Sequence, residues 1–417
     1  MRTLSATLLA EQKISQTPFA RVYLEHGVTN YTFTTSSGDR IKSIEHKEEV
    51  YGSVAVITLD NSDYYFNGLN LFGYIVQIGW GATTGAGNEY SNSPNLWVVG
   101  YKTTSENGVL ECVLECLDVW NLLGRNHVFV GGYKLTGTVS GTVLRGEKCT
   151  LGAVTGTVYL VAEDYVHIVS TTGTPVTGTA TFSGGASQVV TEVTAIGAAE
   201  TTMGWNSTDH SIEFIVESML FGWITLTVDS DDPNAAFVTY KTSYTPQLGV
   251  TARQVIKDVM DFTRCGLRVE SDGAMHAMYL DPAPAAVDYE FRLDVATYHN
   301  FKSSTNDRRL VTPNRIIVCN SYPSEKTPLY VGVATDSDSY TALGKYITQI
   351  IIMQNIGSQA DADARATSLI ARVKAEQSIG ELLCPTINCG QEVLDWIKIT
   401  DARNNGVIST GRVGAIS

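Results

Sequence analysis

The amino-acid sequence predicts a mainly β fold with a few helices (α+β), spread over several barrel- or sandwich-like domains with one small β domain inserted. Three observations point there. Gly (37) and Tyr (20) are abundant while Pro (11) is scarce, short alternating apolar runs recur between turn signals, and few stretches carry helical periodicity. At roughly 150 residues per domain, a chain of 417 residues suggests two to four of them. A hydrophobic content of 43% supports sizeable cores and excludes a disordered polyelectrolyte.

The elements follow in order. Met1 to Ile14 carries Leu4, Leu8 and Leu9 among Glu11 and Lys13, which fits an amphipathic helix and not a signal peptide. Phe19 to Leu24 and Tyr31 to Thr34 flank His26-Gly27 as a hairpin, and strands follow at Ser53–Leu59, Leu69–Ile78, Trp97–Lys102 and Val109–Cys116. A short helical stretch surrounds Trp120 and Leu123. This strand density predicts a barrel or sandwich over residues 1–134. Gly81 to Gly87 and Asn88 to Pro94 lack the Lys-Ser/Thr of a phosphate cradle and are expected to form a long mobile loop.

From 135 to 237 the composition shifts to Thr, Gly and Val, as in Gly137-Thr-Val-Ser-Gly-Thr-Val143 and Val176-Thr-Gly-Thr-Ala-Thr-Phe182. Thr and Val favour a pleated, half-buried surface and Gly supplies tight turns, so this segment is expected to be an inserted β domain. Thr150–Val161 and Thr177–Val193 each set a Thr-Gly-Thr beside a β run, a weak internal duplication.

Residues 238–310 and 311–417 are expected to form a helix-plus-sheet domain and a barrel-like domain with an Ala-rich helix. In the first, Thr251 and Gln254 make a capping box, Val255, Ile256, Val259, Met260 and Phe262 form an apolar stripe, and Gly266 is placed to end the helix. In the second, Ser358 with Asp361 opens a helix that runs to about Gln377, acidic first (Asp361, Asp363) and basic later (Arg365, Arg372, Lys374), as the helix dipole favours. Strands are expected at Leu267–Glu270, Met275–Leu280, Gly380–Cys384 and Val393–Thr400.

The charge balance is 29 basic against 43 acidic residues, a net −14. Such a surface repels phosphate backbones, which excludes tight wrapping of nucleic acid but lets a duplex slide past. No apolar run approaches the roughly 20 residues of a membrane-spanning helix, so stable membrane insertion is not expected. Seven scattered cysteines make no disulfide framework and fit a chain made in a cytoplasm.

The search for chemistry assigns no catalytic, cofactor-binding or metal-ligating residue, and no cofactor. Cys112 and Cys116 would share a face on a helix, but Val109-Leu-Glu-Cys-Val-Leu-Glu-Cys116 alternates with period two. Four residues along a strand span roughly 13 Å, too far for one metal, so both are read as core. Cys384 and Cys389 lack a second Cys/His pair at zinc spacing. His26, His46, His127, His167, His210, His276 and His299 are dispersed and read as solvated. Asp229–Asn234 and Asp336–Asp338 lack the Gly and distal Glu of a calcium loop. Nothing pairs Glu45, Glu48, Glu49, Asp60 and Asp63 for acid–base work.

Three stretches carry a family likeness. They are Val56-Ile-Thr-Leu-Asp-Asn-Ser-Asp63 leading to Gly68-Leu-Asn-Leu-Phe-Gly73, the helix Thr251 to Leu267, and Ala360–Lys374 with Gly380–Pro385 and Val393–Asp401. In these the chain resembles the hub proteins of bacteriophage tail tips and baseplates, the N-terminal structural part of tail-associated proteins. The resemblance covers about the first 130 and last 170 residues by position; at Gly390-Gln391-Glu392 the chain departs from the family's Gly-Asp. It implies tail-tube-like barrels and a homo-oligomer, a trimer with pseudo-sixfold symmetry. It also implies partners among tail tube, distal tail, tip and fibre proteins, DNA only as passing cargo, no enzymatic activity, and a place in the virion tail after synthesis in a bacterial host cytoplasm. The competing expectation is a receptor- or carbohydrate-binding virion protein. In that case the inserted domain, flanked by Trp205 and Trp223, would present the binding face. A tail-borne cell-wall hydrolase ranks last, since neither a metal triad nor a nucleophile motif is present.

Overall fold

In the computed structural model the described residues are 2–417 except 15–16, 37, 107, 127–131, 145–146, 162–164, 170, 197–209, 230–235, 242–243, 245–249, 282–283, 285, 294, 296, 309, 322–326, 354–355, 376–377, 402 and 404–405. A short helix α1 (Ala6–Glu11), capped by Ser5, precedes eight strands: β1 (Thr17–His26), β2 (Thr29–Thr34), β3 (Ile41–Glu49), β4 (Val54–Asp60), β5 (Ile75–Thr84), β6 (Gly87–Asn92), β7 (Leu96–Glu106) and β8 (Val109–Leu117). They form one sheet in the order β2-β1-β5-β7-β8-β4-β3, with β6 added to β5. Inward-facing Val22, Leu24, Ile57, Leu59, Val76, Ile78, Leu96, Cys112, Leu114 and Cys116 make its core. Period-two alternation puts these residues on one face, as a half-buried strand requires.

Two segments differ from expectation. Residues 69–74 are irregular, with Leu71 and Tyr74 buried, and β5 starts only at Ile75. The Gly-rich stretch expected to be a mobile loop is instead the β5–β6 hairpin, paired from Thr84↔Gly87 to Gly79↔Asn92. Gly81 serves close packing, since a Cβ there would lie 1.8 Å from the Glu89 carbonyl oxygen, and Gly87 takes φ +111° at the turn.

After α2 (Val119–Leu123), capped by Asp118, comes a closed barrel. It comprises β9 (Gly132–Ser140), β10 (Lys148–Leu151), β11 (Val154–Val161), β12 (Tyr165–Val169), β13 (Gly178–Phe182) and β14 (Ser187–Ile196). The two Thr-Gly-Thr stretches fall on the β10–β11 and β13–β14 hairpins, which lie side by side through the β10–β13 pair. Among the described residues, the barrel strands pair only with one another.

The expected inserted domain, 135–237, therefore extends past the barrel. Helix α3 (Ile212–Leu220) and Phe237, at the start of α4 (Ala236–Thr239), lie in a central core with α5 (Ala252–Met260). That core also takes one face of a small sheet, β15 (Leu226–Val228), β17 (Met275–Tyr279) and β16 (Cys265–Val269). Thr251 caps α5 as expected, its Oγ1 accepting from the Gln254 N–H at 3.3 Å. Gly266 does not stop the helix. It sits in β16, where a Cβ would come within 2.9 Å of Leu394.

The last third completes two further layers. A sheet β21-β20-β22, from β20 (Arg315–Cys319), β21 (Val331–Thr335) and β22 (Thr348–Ile352), packs under α7 (Gln359–Ala375), with α6 (Ser337–Leu343) between β21 and β22. Ser358 caps α7, its Oγ accepting from the Asp361 N–H at 3.1 Å. Two small sheets pair across the expected 310/311 boundary: β18 (Tyr289–Leu293) with β24 (Trp396–Asp401) and β25 (Gly406–Arg412), and β19 (Ser303–Arg308) with β23 (Ser378–Leu383). The final strand β26 (Ala415–Ile416) returns to β3 of the first sheet. Among the described residues, no helix is long and apolar enough to cross a membrane.

Excising residues 132–196 is expected to leave the thermal transition of the remaining chain in place. Excising 135–237, which removes α3 and Phe237 from the central core, is expected to abolish it. Melting curves of the two deletions followed by circular dichroism make the comparison.

Candidate functional site

A set of titratable groups forms a buried ionic seam between the first sheet and the rest of the chain, apart from a second cluster in which Asp261 pairs with Arg365 and Arg372. The seam starts on the sheet β15-β17-β16. The register Leu226↔Met275 and Leu267↔Ala277 turns one face to the central core. Alternation then places Thr227, His276, Arg268 and, beyond the strand ends, Asp229 and Glu270 on the other.

Arg268, flanked by Leu267 and Val269, is almost fully buried. Its Nε donates to Glu270 Oε1 at 2.7 Å and one terminal nitrogen to Asp395 Oδ1 at 2.9 Å and the Val393 carbonyl at 3.3 Å. The other terminal nitrogen lies 3.4 Å from Glu392 Oε2. Glu392 in turn lies 3.6 Å from Arg2 Nε, and Arg2 grips both oxygens of Glu48 on β3 at 2.9 and 2.8 Å. The seam ends at His46, 3.8 Å from Glu48, whose Nδ1 accepts from the Trp80 indole N–H at 3.4 Å. Asp395 Oδ2 accepts from the Gln391 amide and the Glu392 N–H, both at 2.8 Å. The departure from Gly-Asp at Gly390-Gln391-Glu392 thus supplies two members of this network. Leu394, between Glu392 and Asp395, holds φ +69°, a left-handed conformation unusual for a bulky side chain.

Two guanidinium groups here face four carboxylates, Glu48, Glu270, Glu392 and Asp395. Burial pushes Glu392 up, against the pull of Arg268 and Arg2. Burial alone would lower Arg268, but Glu392, Glu270 and Asp395 outweigh it and hold it above its ordinary value. Such a pair adds little net stability over an apolar replacement, yet losing one partner leaves buried charge uncompensated.

At the outer end His276 is held between carboxylates, Nδ1 2.7 Å from Asp229 Oδ1 and Nε2 3.0 Å from Asp272 Oδ2, with Glu270 Oε2 at 3.8 Å. Burial lowers its affinity for a proton, but hydrogen bonds to Asp229 and Asp272 and the charge of Glu270 reverse the sign, and its pKa is raised. Asp229, Glu270 and His276 bring ligand atoms within 4.8 Å of one another, the spacing a cation needs. Both ring nitrogens of His276 already face carboxylates.

Other histidines also differ from the solvated reading. His167, His210 and His299 are buried, the side chain of half-buried His46 is covered, His26 on β1 is exposed as that reading has it, and His127 lies outside the described residues. Desolvation drives His167 down to about 4. His299 is lowered by burial although its Nε2 lies 2.9 Å from the Thr386 carbonyl oxygen. Cys112 and Cys116 sit on the inner face of β8, and burial raises their thiols to about 11 and about 12. Cys384 and Cys389 are free thiols. Glu48 belongs to the seam, while Asp60 pairs with Lys42 at 3.2 Å and Asp63 with Arg40 at 2.6 Å. Asp336 caps α6. Of the acidic turn that begins at Asp229, residues 230–234 lie outside the described residues, as does Trp205. Trp223 is partly exposed after α3. Position-by-position reading of charge could not find the seam, but an arginine between two core strand residues, as at 268, was a usable sign.

The fold is shared with known proteins. The tail protein from Neisseria meningitidis MC58 matches over 95% of this chain and 90% of its own, at 7% identity and a TM-score of 0.54. The 43 kDa tail protein of prophage MuSo2 from Shewanella oneidensis matches over 95% and 93%, at 11% identity and 0.53. No family model matches the sequence, and no curated protein is significantly similar to it. At these identities the likeness is one of fold. It agrees with the tail-hub resemblance carried by the three sequence stretches.

Arg268→Met strands Glu270, Glu392 and Asp395 and is expected to cost about 3–5 kcal/mol in urea unfolding. In an NMR titration His276 is expected to lose its proton above 6.5 and His167 near 4. Because the folded-state pKa of His276 is raised, the stability it contributes is complete below about 6.5 and declines as pH climbs through that higher value.

Proposed function

We propose that this chain is a structural hub of a phage-type tail tip or baseplate. It assembles as a trimeric ring that joins the tail tube to the tip and lets DNA pass, and it carries out no catalysis. The observation that supports this most is the extent of the shared fold: nearly the whole chain matches nearly the whole of two tail proteins. The physical properties agree. A chain with a net charge of −14 offers DNA a lumen that does not grip phosphate. Two β-rich units bound through a buried seam suit a load-bearing part, and closed rotational symmetry satisfies each subunit's contacts without leaving open ends. Partners on this reading are tube, distal tail, tip and fibre proteins, and the protein resides in the virion tail.

A second role is favoured by one feature. The barrel β9–β14 closes on itself and exposes Leu144, Val176 and Val189, so it fits a module added for binding at the host surface.

Multi-angle light scattering with negative-stain imaging tests the main reading. A ring with a central hole and a mass of about 136 kDa, three chains of 45.2 kDa, is expected. A monomer at every concentration, with or without tail-tube protein as template, would contradict it.

A further inference from the structure

We propose that the open face of the sheet β21-β20-β22 is the surface on which a second copy of this chain docks; the inference rests on the hub reading and specifies where its copies meet. One face of this sheet is closed. Ile316 and Val318 pack with Ala362 and Ala366 of α7 in the central core, and Gly332 lies so near the helix that a Cβ would sit 2.0 Å from the Ala362 carbonyl oxygen. The register puts Ile317, Val333 and Ile350 in one row across the opposite face, with Cys319, Val331 and Ile352 in the next. Val331, Val333 and Ile350 are 38%, 46% and 52% exposed. An apolar sheet face left to water in this way marks a contact surface.

The face continues into aromatic residues. Tyr346 is 46% exposed, stacks on Tyr340 with ring centroids 4.3 Å apart, and lies 5.1 Å beneath the guanidinium of Arg315. Arg315 shares the face with Thr335 and Thr348. Among the described residues it has no carboxylate within ion-pair distance, and its buried Nε has no hydrogen-bond partner. Arginine and tyrosine around an apolar centre are the residues that dominate protein–protein contacts.

Charge and area select the occupant. The patch presents Arg315, which is paired with no carboxylate among the described residues, in a largely apolar frame, whereas the chain as a whole has fourteen more negative than positive charges. A net-negative second copy is therefore drawn to this face. With full side-chain areas of roughly 150–250 Å², Val331, Val333, Ile350, Tyr340 and Tyr346 leave about 450 Å² of largely apolar surface exposed. That is close to the apolar share of the roughly 800 Å² that each partner buries in a standard interface. Edges guide the approach as well. The Gln359 side chain closes the β21 edge, accepting from the Val331 N–H at 3.3 Å and donating to its carbonyl at 2.8 Å. The outer edge of β22 pairs with no strand among the described residues.

The test is sedimentation velocity on the full chain across the micromolar range, comparing wild type with Val333→Asp/Ile350→Asp and with Arg315→Glu. Melting curves check that each variant folds, and Val333→Thr/Ile350→Thr serves as a milder pair should the aspartates unfold the sheet. The wild type is expected to self-associate. The aspartate pair is expected to weaken association by about 100-fold or more and Arg315→Glu by about 10-fold, with folding kept. Folded variants that associate like the wild type would overturn the docking face and leave the ring reading standing. A wild type that stays monomeric, alone or with tube protein, would remove the ring reading and this face together. Loss of binding to a different tail protein, with copy–copy association intact, would also overturn the proposal.

Discussion

The arrangement of this molecule depends on how Arg2 and Arg268 are compensated. Each guanidinium is almost fully buried, and each is paired with carboxylates that distant parts of the chain supply, Arg268 also with the nearby Glu270. Arg2 draws Glu48 of the first sheet and Glu392 of the last third together, and Arg268 ties Glu392 and Asp395 to the central sheet. Because stranded buried charge costs several kcal/mol, one arrangement of the three parts is strongly preferred over any in which they separate. Apolar packing supplies the bulk of the stability. The seam supplies register.

Both described ends of the chain reinforce that register by crossing to the opposite unit. The Arg2 N–H donates to the Gly390 carbonyl at 2.8 Å, and Gln12 Oε1 accepts from the Cys389 N–H at 2.9 Å. At the other end β26 adds to β3 through Ala415↔Glu49, beside the Glu48 that Arg2 holds. The first sheet is thus laced to the C-terminal sheets twice, by backbone as well as by charge. The barrel β9–β14 shares none of these ties. For a proposed tail part, rigidity in the body suits transmission of load.

Much of the fold was legible in the sequence because local rules and tertiary packing agree there. Val109–Cys116 alternates as a strand must, and Thr251 and Ser358 cap the helices they were expected to cap. Reading failed where tertiary context sets the structure. β3 is largely polar, since only Ile41 and Ile44 pack against the first core while Glu48 is buried by its arginine partner. The Gly-rich run at 81–87 concealed a hairpin because Gly81 serves close backbone approach and Gly87 the turn. The inserted segment, read to 237, takes in α3 and Phe237, whose place in the central core is set by packing against α5 and not by local composition. The seam itself was illegible: its members stand at positions 2, 48, 268, 270, 392 and 395, and only the chain crossings unite them. His276 escaped for the same reason, with Asp229 coming from another strand.

The account stands on the claim that this seam makes the first sheet and the C-terminal sheets one cooperative body. Hydrogen exchange followed by mass spectrometry through a denaturant series measures that most directly, with β4 and β24 as reporters. The account predicts that amides of Ile57–Leu59 and Ile397–Ile399 lose protection together, at one denaturant concentration. Release of either strand well before the other would contradict it.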